Sequence, residues 1–394
     1  MQHLLQQLFQ SGIFGLTGFL VFLTVYNRGL LHLRHGTFKS ILCYSAMIVL
    51  PAGAAVLPLA IPPAPLIPVV LSLLGMFTVM EIIRRWRQNA LRASGPVSEV
   101  YLEEQIQPLR LLNLTTEHLV IREFQPIDFN WRGPGIRMAH LSDFHIDKNP
   151  NTRFYERLFE TLSDQAPDVL FLTGDYTDDI TQIPRLTGMI RQLKIPLGIF
   201  ASLGNHDYWS HPQRIRDALE SAGVVFPDET GRRISVSDDY SLVVHRLDYP
   251  YIRPWTYQRQ VSTPVEKHIV LSHTPDNFFR LARLGADLIF SGHLHGGQWR
   301  LPLIGSVVAP SVRDRLIDHG YFRLKSSHMF VTAGIGNVWM PIRINCPPEI
   351  LLVDLKAASD VSVPDSEKVL ASQAQKVKSG VTHSVPPTFG VSSG

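Results

Sequence analysis

Cysteine is nearly missing from this chain: Cys43 and Cys346 are the only two in 394 residues. Cys43 lies in an apolar run and Cys346 in a distant loop-like stretch. Neither a disulfide framework nor a thiolate metal site is therefore expected. A large excess of positive charge is missing too. The formal net charge is +3, and no basic stripe runs through the polar part of the chain. That argues against a nucleic-acid surface, so no nucleic-acid partner is expected. The sequence shows no internal repeat. Charged side chains are scarce over the first eighty residues, where only Arg28, Arg34 and Lys39 occur.

What fills that region is apolar. Residues 9–26, 41–61 and 66–80 carry no charge. A helix of about 20 apolar residues spans a bilayer. The run Ile61-Pro62-Pro63-Ala64-Pro65 separates the second stretch from the third, since proline breaks a helix. A cleaved signal peptide needs a charged start and one short apolar run. Here the start is Met1-Gln2-His3, and three runs follow. Residues 1–92 are expected to form a membrane-anchoring segment with two to three transmembrane helices. Arg28, Arg34 and Lys39 follow the first stretch; Arg84, Arg85, Arg87 and Arg92 follow the third. The positive-inside rule puts both basic segments on the cytoplasmic side. Three spans, or one span plus a re-entrant hairpin, satisfy that equally. Trp86 among the arginines suits an interfacial anchor.

Beyond the Ala93-Ser94-Gly95-Pro96 linker the pattern changes to strands alternating with helices. Strand-length apolar runs occupy residues 136–141, 169–173, 197–202, 268–272, 288–291 and 328–332. Helical periodicity occupies 153–165, 183–193, 212–222 and 276–284. This predicts an α/β fold, a layered β-sandwich flanked by helices. Residues 93–135 form a linker and first strand region, and 136–355 the catalytic domain. Residues 356–394 are rich in Ser, Ala, Val, Lys and Pro and are expected to remain disordered.

Metal-type side chains follow those runs in order. They are Asp143-Phe144-His145, Gly174-Asp175 with Asp178, Gly204-Asn205-His206-Asp207, His273, and Gly292-His293-Leu294-His295. Asp and His bind divalent Mn, Fe or Zn through oxygen and imidazole nitrogen. Ligands at strand ends project into one crevice at the edge of a sheet. In an extended strand, Asp143 and His145 face one way and Phe144 the other; His293, His295 and Leu294 repeat the pattern. A carboxylate can bridge two cations, as two-metal hydrolysis requires. His211, His245, His268 and His328 lack this setting and are read as structural.

The sequence resembles the calcineurin-like metallophosphoesterase superfamily. Its pattern is Asp-x-His, Gly-Asp, Gly-Asn-His, a lone His, then Gly-His-x-His, and all five blocks are intact between residues 136 and 355. The Ser291-to-Gln298 block, with Gly334-Ile335-Gly336, Pro341-Ile342-Arg343 and Pro348-Glu349-Ile350, resembles the bacterial membrane-associated branch. That branch includes UDP-2,3-diacylglucosamine pyrophosphatases of lipid A synthesis. The resemblance implies two divalent ions, Mn2+ first, with Fe or Zn as alternatives. It implies Asp143, His145 and His295 on one metal, Asn205, His273 and His293 on the other, and Asp175 bridging. It implies His206 as an acid near the leaving group. Asp178 is the choice to orient His206, while Asp207, adjacent in the chain, is expected to brace the loop.

Protein phosphatases of the superfamily carry an arginine after the position of Asp178; this chain has Asp179. Phosphoprotein substrates are therefore disfavoured. The anchor implies a substrate at the bilayer, and a cytoplasmic face at the bacterial inner membrane fits a nucleotide-activated lipid. The expected reaction cleaves UDP-2,3-diacylglucosamine to UMP and 2,3-diacylglucosamine 1-phosphate. The alternatives are a broad phosphodiesterase or phosphatase at the membrane surface and a catalytically dead scaffold; no missing ligand supports the last. Arg300, Arg313, Arg315 and Arg343 are expected to hold the diphosphate, because a guanidinium suits bidentate contact. The aromatic stretch 241–260, with Tyr249, Tyr251, Trp255 and Tyr257, is either a lid or a packed loop.

Overall fold

The computed structural model describes residues 2–28, 37–60, 66–102, 112–126, 129–228, 230–248, 250–252, 254–313, 315–338 and 340–356. Residues 357–394, Arg34, the proline run 61–65 and Tyr249 lie outside the described residues.

Three long helices come first: α1 (Gln2–Arg28), α2 (Thr37–Ala60) and α3 (Ile67–Leu91). The strands follow as β1 (Ser98–Tyr101), β2 (Val120–Phe124), β3 (Ile136–Leu141), β4 (Val169–Leu172), β5 (Ile199–Ala201), β6 (Val224–Val225), β7 (Arg232–Ser235), β8 (Ser241–Arg246), β9 (Glu266–Leu271), β10 (Leu288–Ser291), β11 (Arg300–Leu301), β12 (Gly305–Ser306), β13 (Gly320–Leu324), β14 (Ser327–Val331) and β15 (Glu349–Leu355). Between them lie α4 (Thr152–Asp164), α5 (Ile183–Ile190), α6 (Asn205–Trp209), α7 (Pro212–Ser221) and α8 (Phe278–Arg283). One sheet has the order β1-β2-β15-β3-β4-β5-β6, and a second has β13-β14-β10-β9-β8-β7.

The alternation of side chains along each strand builds the layers. Met138 of β3 and Val169 and Phe171 of β4 point into a core shared with Leu288 and Phe290 of β10 and Phe330 of β14. Their neighbours Ala139, Leu141, Leu170 and Leu172 point the other way, onto α4, α5 and α7. On the second sheet Ile289, Met329 and Val331 turn outward onto α8. The result is helices, sheet, sheet, helices, as the run pattern predicts. Phe290 sits at the centre of the shared core, with its ring centroid 4.8 Å from Phe171 and 5.5 Å from Phe330. Each such fully buried Phe contributes about 1.5–3 kcal/mol through removal of apolar surface from water.

Helix α4 shows how local sequence sets an outer layer. Asn151 caps it by accepting from Phe154 N at 3.2 Å, which satisfies an otherwise orphaned donor. Phe154, Tyr155, Leu158, Phe159 and Leu162 then form one buried stripe at helical spacing. Strands β8, β13 and β15 fall outside the strand-length apolar runs. The first part of the aromatic stretch is therefore a strand, and only its remainder is irregular.

By length and composition two stretches among the described residues can cross a membrane: Gln6–Thr24 and Ile67–Leu91. The middle helix carries Pro51 and Pro58, and its shorter apolar part is Ile48–Pro58. The expectation of two to three spans thus keeps two candidates. Val69, Leu71, Met76, Val79, Ile82, Ile83 and Trp86 on α3 are all exposed. The C-terminal half of α3 instead docks on the catalytic domain. Arg84 donates to Arg315 O at 3.2 Å, and Gln88 Nε2 donates to Asp318 Oδ1 at 2.9 Å. Glu81 pairs with both Arg84 and Arg315.

Candidate metal centre

Strands β3, β4 and β5 are parallel, so their C-terminal ends open at one edge. Strands β9 and β10 do the same in the facing sheet. Each expected block starts where one of these strands stops. Phe144 and Leu294 are buried, as expected. The cause differs from a continued strand. Asp143 (φ 54°), His145 (φ 43°), Asp175 (φ 55°), His293 (φ 69°) and His295 (φ 49°) all lie in the left-handed region. L-residues visit that region rarely, and each such residue costs of order 1–3 kcal/mol unless its surroundings over-determine it. Here they do. His293 N donates to both oxygens of Asp143 at 2.9 Å. Asp143 N donates to Gly174 O at 2.9 Å, and His145 N to Asp175 O at 3.1 Å. The crowding also dictates glycine at two positions. A Cβ on Gly204 would lie 2.1 Å from Asp175 Oδ1, and one on Gly292 would lie 2.1 Å from Asp143 Oδ2.

The side chains gather in two adjoining groups. Asp143, His145 and His295 offer ligand atoms within 4.8 Å of one another, and so do Asp175, His273 and His293. Asp175 Oδ2 lies 3.2 Å from His273 Nε2 and 3.5 Å from His145 Nε2, between the groups. Asn205 Oδ1 lies 3.1 Å from His273 Nε2. All seven expected ligands are therefore brought together.

The partners of the histidines decide which nitrogen is left open. His145 Nδ1 donates to Asp178 Oδ1 at 2.9 Å, His273 Nδ1 to Thr173 O at 2.5 Å, and His293 Nε2 to Pro310 O at 3.0 Å. A carbonyl or carboxylate only accepts, so the opposite nitrogen keeps its lone pair. For His145 that is Nε2, which is buried and has no hydrogen-bond partner among the described residues. At His295 the neighbour is Arg343 Nη2, 3.4 Å from Nδ1.

The electrostatic surroundings differ among the four histidines. Burial opposes charge on His145, but the carboxylates of Asp175 and Asp178 outweigh it and hold the imidazole up at about 10. Burial likewise opposes charge on His273, yet Asp175 and Asp143 hold it at about 9. Burial and then the positive His273 push His293 down to about 3. Burial, then His145 and Arg343, push His295 well down. The buried carboxylates thus keep protons on two histidines that cations would displace, since metal ligands must be deprotonated. An orphaned imidazole nitrogen and this donor set fit a pair of divalent cations.

Asp178 Oδ1 reaches His206 Nδ1 at 3.2 Å as well as His145, and these three residues also offer atoms within 4.8 Å of one another. His206 N donates to Asp175 Oδ1 at 2.9 Å. The ring of His206 stands edge-on to His145 with centroids 4.5 Å apart, and Trp209 lies 5.0 Å beyond it. Asp207 braces the loop, as expected: it accepts from Asp175 N and Gly204 N at 2.8 Å and from Tyr176 N at 3.0 Å. Asp179 accepts from Thr181 N at 2.9 Å in a short turn. Tyr251 of the aromatic stretch stands 5.9 Å from the His273 ring and 6.3 Å from His293.

Most of the expected diphosphate arginines are not free to hold one. Arg343 is fully buried, and its donors go to Gly336 O and to Cys346 O at 3.2 Å. Arg300 donates to Gly296 O at 2.7 Å and pairs with Asp318 at 3.0 Å. Arg315 is buried against Glu81 of α3. The reason is physical: a buried guanidinium is costly unless it is hydrogen-bonded within the fold. Arg313 is exposed, with its guanidinium 5.0 Å from the Phe279 ring. The Pro310 carbonyl left no sequence signal, because a backbone atom lends nothing to a motif.

Residues 136–297 match the family model described as calcineurin-like phosphoesterase. The chain is 26% identical to the uncharacterized metallophosphoesterase YkuE of Bacillus subtilis over 62% of its own length and 86% of that protein. It is 29% identical to Phosphodiesterase YaeI of Escherichia coli over 56% of its length and 82% of that protein. It is 25% identical to UDP-2,3-diacylglucosamine pyrophosphatase LpxG of Chlamydia trachomatis over 57% of its length and 87% of that protein. With the fold and the His/Asp cluster that such a dinuclear site requires, the chain carries a calcineurin-like metallophosphoesterase domain and is a metal-dependent hydrolase.

Proposed function

We propose that this chain is a membrane-anchored phosphohydrolase that cleaves the diphosphate of UDP-2,3-diacylglucosamine to UMP and 2,3-diacylglucosamine 1-phosphate. The observation that carries this reading is one unit joining two features. The His/Asp groups meet around Asp175, and the ends of the apolar helices pack on the segment just after His295. A substrate with acyl chains and a soluble diphosphate suits that union. The similarity to the chlamydial pyrophosphatase supports it.

In this reading Asp143, His145 and His295 hold one cation, and Asn205, His273 and His293 hold the other. Asp175 is shared, and Mn2+ is the first choice of metal. When bound, the pair supplies a nucleophilic water near neutral pH and neutralises charge on the phosphoryl oxygens. His206 is the acid beside the departing oxygen, and Asp178 orients its ring at Nδ1. Asp207 fixes the backbone that presents Asp175 and His206. Arg313 offers the exposed guanidinium for the diphosphate. Residues 1–92 anchor the protein, 93–135 connect, and 136–355 form the catalytic unit. The basic residues around the end of α1 and near the end of α3 support a cytoplasmic face at a bacterial inner membrane, with three spans or one span plus a re-entrant hairpin.

A broad phosphodiesterase is the second reading, favoured by the similarity to the enterobacterial phosphodiesterase. Purified full-length protein with Mn2+ is offered UDP-2,3-diacylglucosamine in mixed micelles beside bis(p-nitrophenyl) phosphate. The proposal expects UMP release with kcat/KM about 100-fold above that for the diester, a difference near 2.7 kcal/mol in transition-state binding. The reverse ranking selects the second reading. Hydrolysis of neither substrate with Mn2+, Fe2+ or Zn2+ sinks both.

A further inference from the structure

Helix α1 ends against the catalytic domain. Asn27 lies three residues beyond the apolar stretch Gln6–Thr24 and is fully buried. Its Nδ2 donates to Val307 O at 2.9 Å and to Leu23 O of its own helix at 2.9 Å. Ala309 N donates to Asn27 Oδ1 at 2.9 Å. The side-chain amide thus pairs with the backbone of 307–309 as a neighbouring strand would. Leu20, Phe22, Leu23 and Tyr26 pack on Val307 around it.

The next residue on that segment is Pro310, whose carbonyl accepts from His293 Nε2 at 3.0 Å. One residue further, Ser311 Oγ donates to Asp276, and Val312 N donates to Asp276 Oδ2 at 3.1 Å. Residues 307–312 are therefore held at one end by Asn27 and at the other by Asp276, with the His293 contact between.

We propose that Asn27 is a positioning residue for the metal centre. It fixes residues 307–309, so the Pro310 carbonyl stands where it orients the His293 imidazole. The inference rests on the reading of His293 as a ligand. The acceptor on the far nitrogen of a ligating histidine fixes its ring, and loss of such a partner costs about 10–100-fold in metal affinity. The seating of the first apolar helix is thereby coupled to one cation of the two, the one on His293.

The test uses full-length protein in detergent, stripped of metal and titrated with Mn2+ against a chelator. Asn27→Leu removes both contacts to the loop at similar volume. The expected result is one Mn2+ bound about 10-fold or more weakly, with the other unchanged. The exchange-coupled Mn2+ signal in electron paramagnetic resonance gives way to a mononuclear one at matched Mn2+. Thr24→Val, whose hydroxyl bonds Leu20 O of its own helix at 3.0 Å, leaves both affinities unchanged. If Asn27→Leu is not recovered folded, Asn27→Ala removes the same contacts with less bulk. Wild-type Mn2+ affinities in the Asn27 variant overturn the inference, and so does equal weakening of both ions with a lower unfolding temperature of the metal-free protein. His293→Ala separates the two levels. If it keeps both Mn2+ ions, the ligand reading fails. If it loses one while the Asn27 variant loses none, only the positioning role fails.

Discussion

At the scale of single residues, the centre divides into groups that face a cation and groups that hold those groups still. Asp178 belongs to the second kind, with one oxygen 2.9 Å from His145 and 3.2 Å from His206. His206 stands outside the two ligand triads built around Asp143 and Asp175. His206→Ala is expected to keep both Mn2+ ions yet lose about 10²–10⁴-fold in kcat, the usual worth of a positioned proton donor. Loss of bound metal in that variant, read by elemental analysis, would show that His206 is a ligand. Asp175→Ala should weaken both ions, since its Oδ2 faces histidines of both groups. The motif residues were legible in the sequence because their order and types are chemically restrictive. Arg343 was not: a guanidinium near the motif blocks reads as a phosphate ligand until its burial and its carbonyl partners are seen.

At the scale of elements, the hairpin β11–β12 and the residues after it join three parts of the molecule. Asp318 shows how. It accepts from Gln88 of α3 at 2.9 Å, from Ser306 Oγ at 2.6 Å and from Arg300 at 3.0 Å. Burial raises its pKa, but the charge of Arg300 and the Ser306 hydroxyl outweigh that and bring it to about 2 from 3.8. A folded value below the unfolded one stabilises the fold above pH 3.8, and that stability is lost as pH falls towards 2. Asp318→Asn should cost about 2 kcal/mol at neutral pH and flatten the acid limb of stability between about pH 4 and 2. Thermal unfolding of the full chain at a series of pH values reads this. An unchanged acid limb would mean that Arg300 does not depend on this carboxylate. Strands β3 and β10 were legible because both faces are buried and the runs are continuous. Strand β8 was masked by the aromatic and proline residues that follow it, and β15 by a charged start at Glu349.

At the scale of the whole molecule, the two sheets are held apart by a shared apolar core and tied together at one end by polar groups. Asp143 from the first sheet accepts from His293 of the second at 2.9 Å, and His273 of the second donates to Thr173 of the first at 2.5 Å. Cations bound across that seam cross-link the sheets. Free Mn2+ at about 100 times its Kd should therefore stabilise the fold by about 2.7 kcal/mol. Removing it with a chelator should lower the unfolding temperature by several degrees. An unfolding temperature indifferent to chelator would leave the seam without bound metal.

The sequence by itself determined six of the strands and four of the helical stretches in the catalytic region, the seven metal-type residues and the apolar start. Each of these depends on periodicity or side-chain chemistry that one stretch of chain carries. Only the tertiary structure decided that five of those residues sit in left-handed backbone, that three arginines serve the fold, and that Asn27 reaches the loop beside His293. Such facts depend on which backbone atoms meet across some 280 residues of separation, and no local pattern encodes a meeting between a helix end and a distant carbonyl.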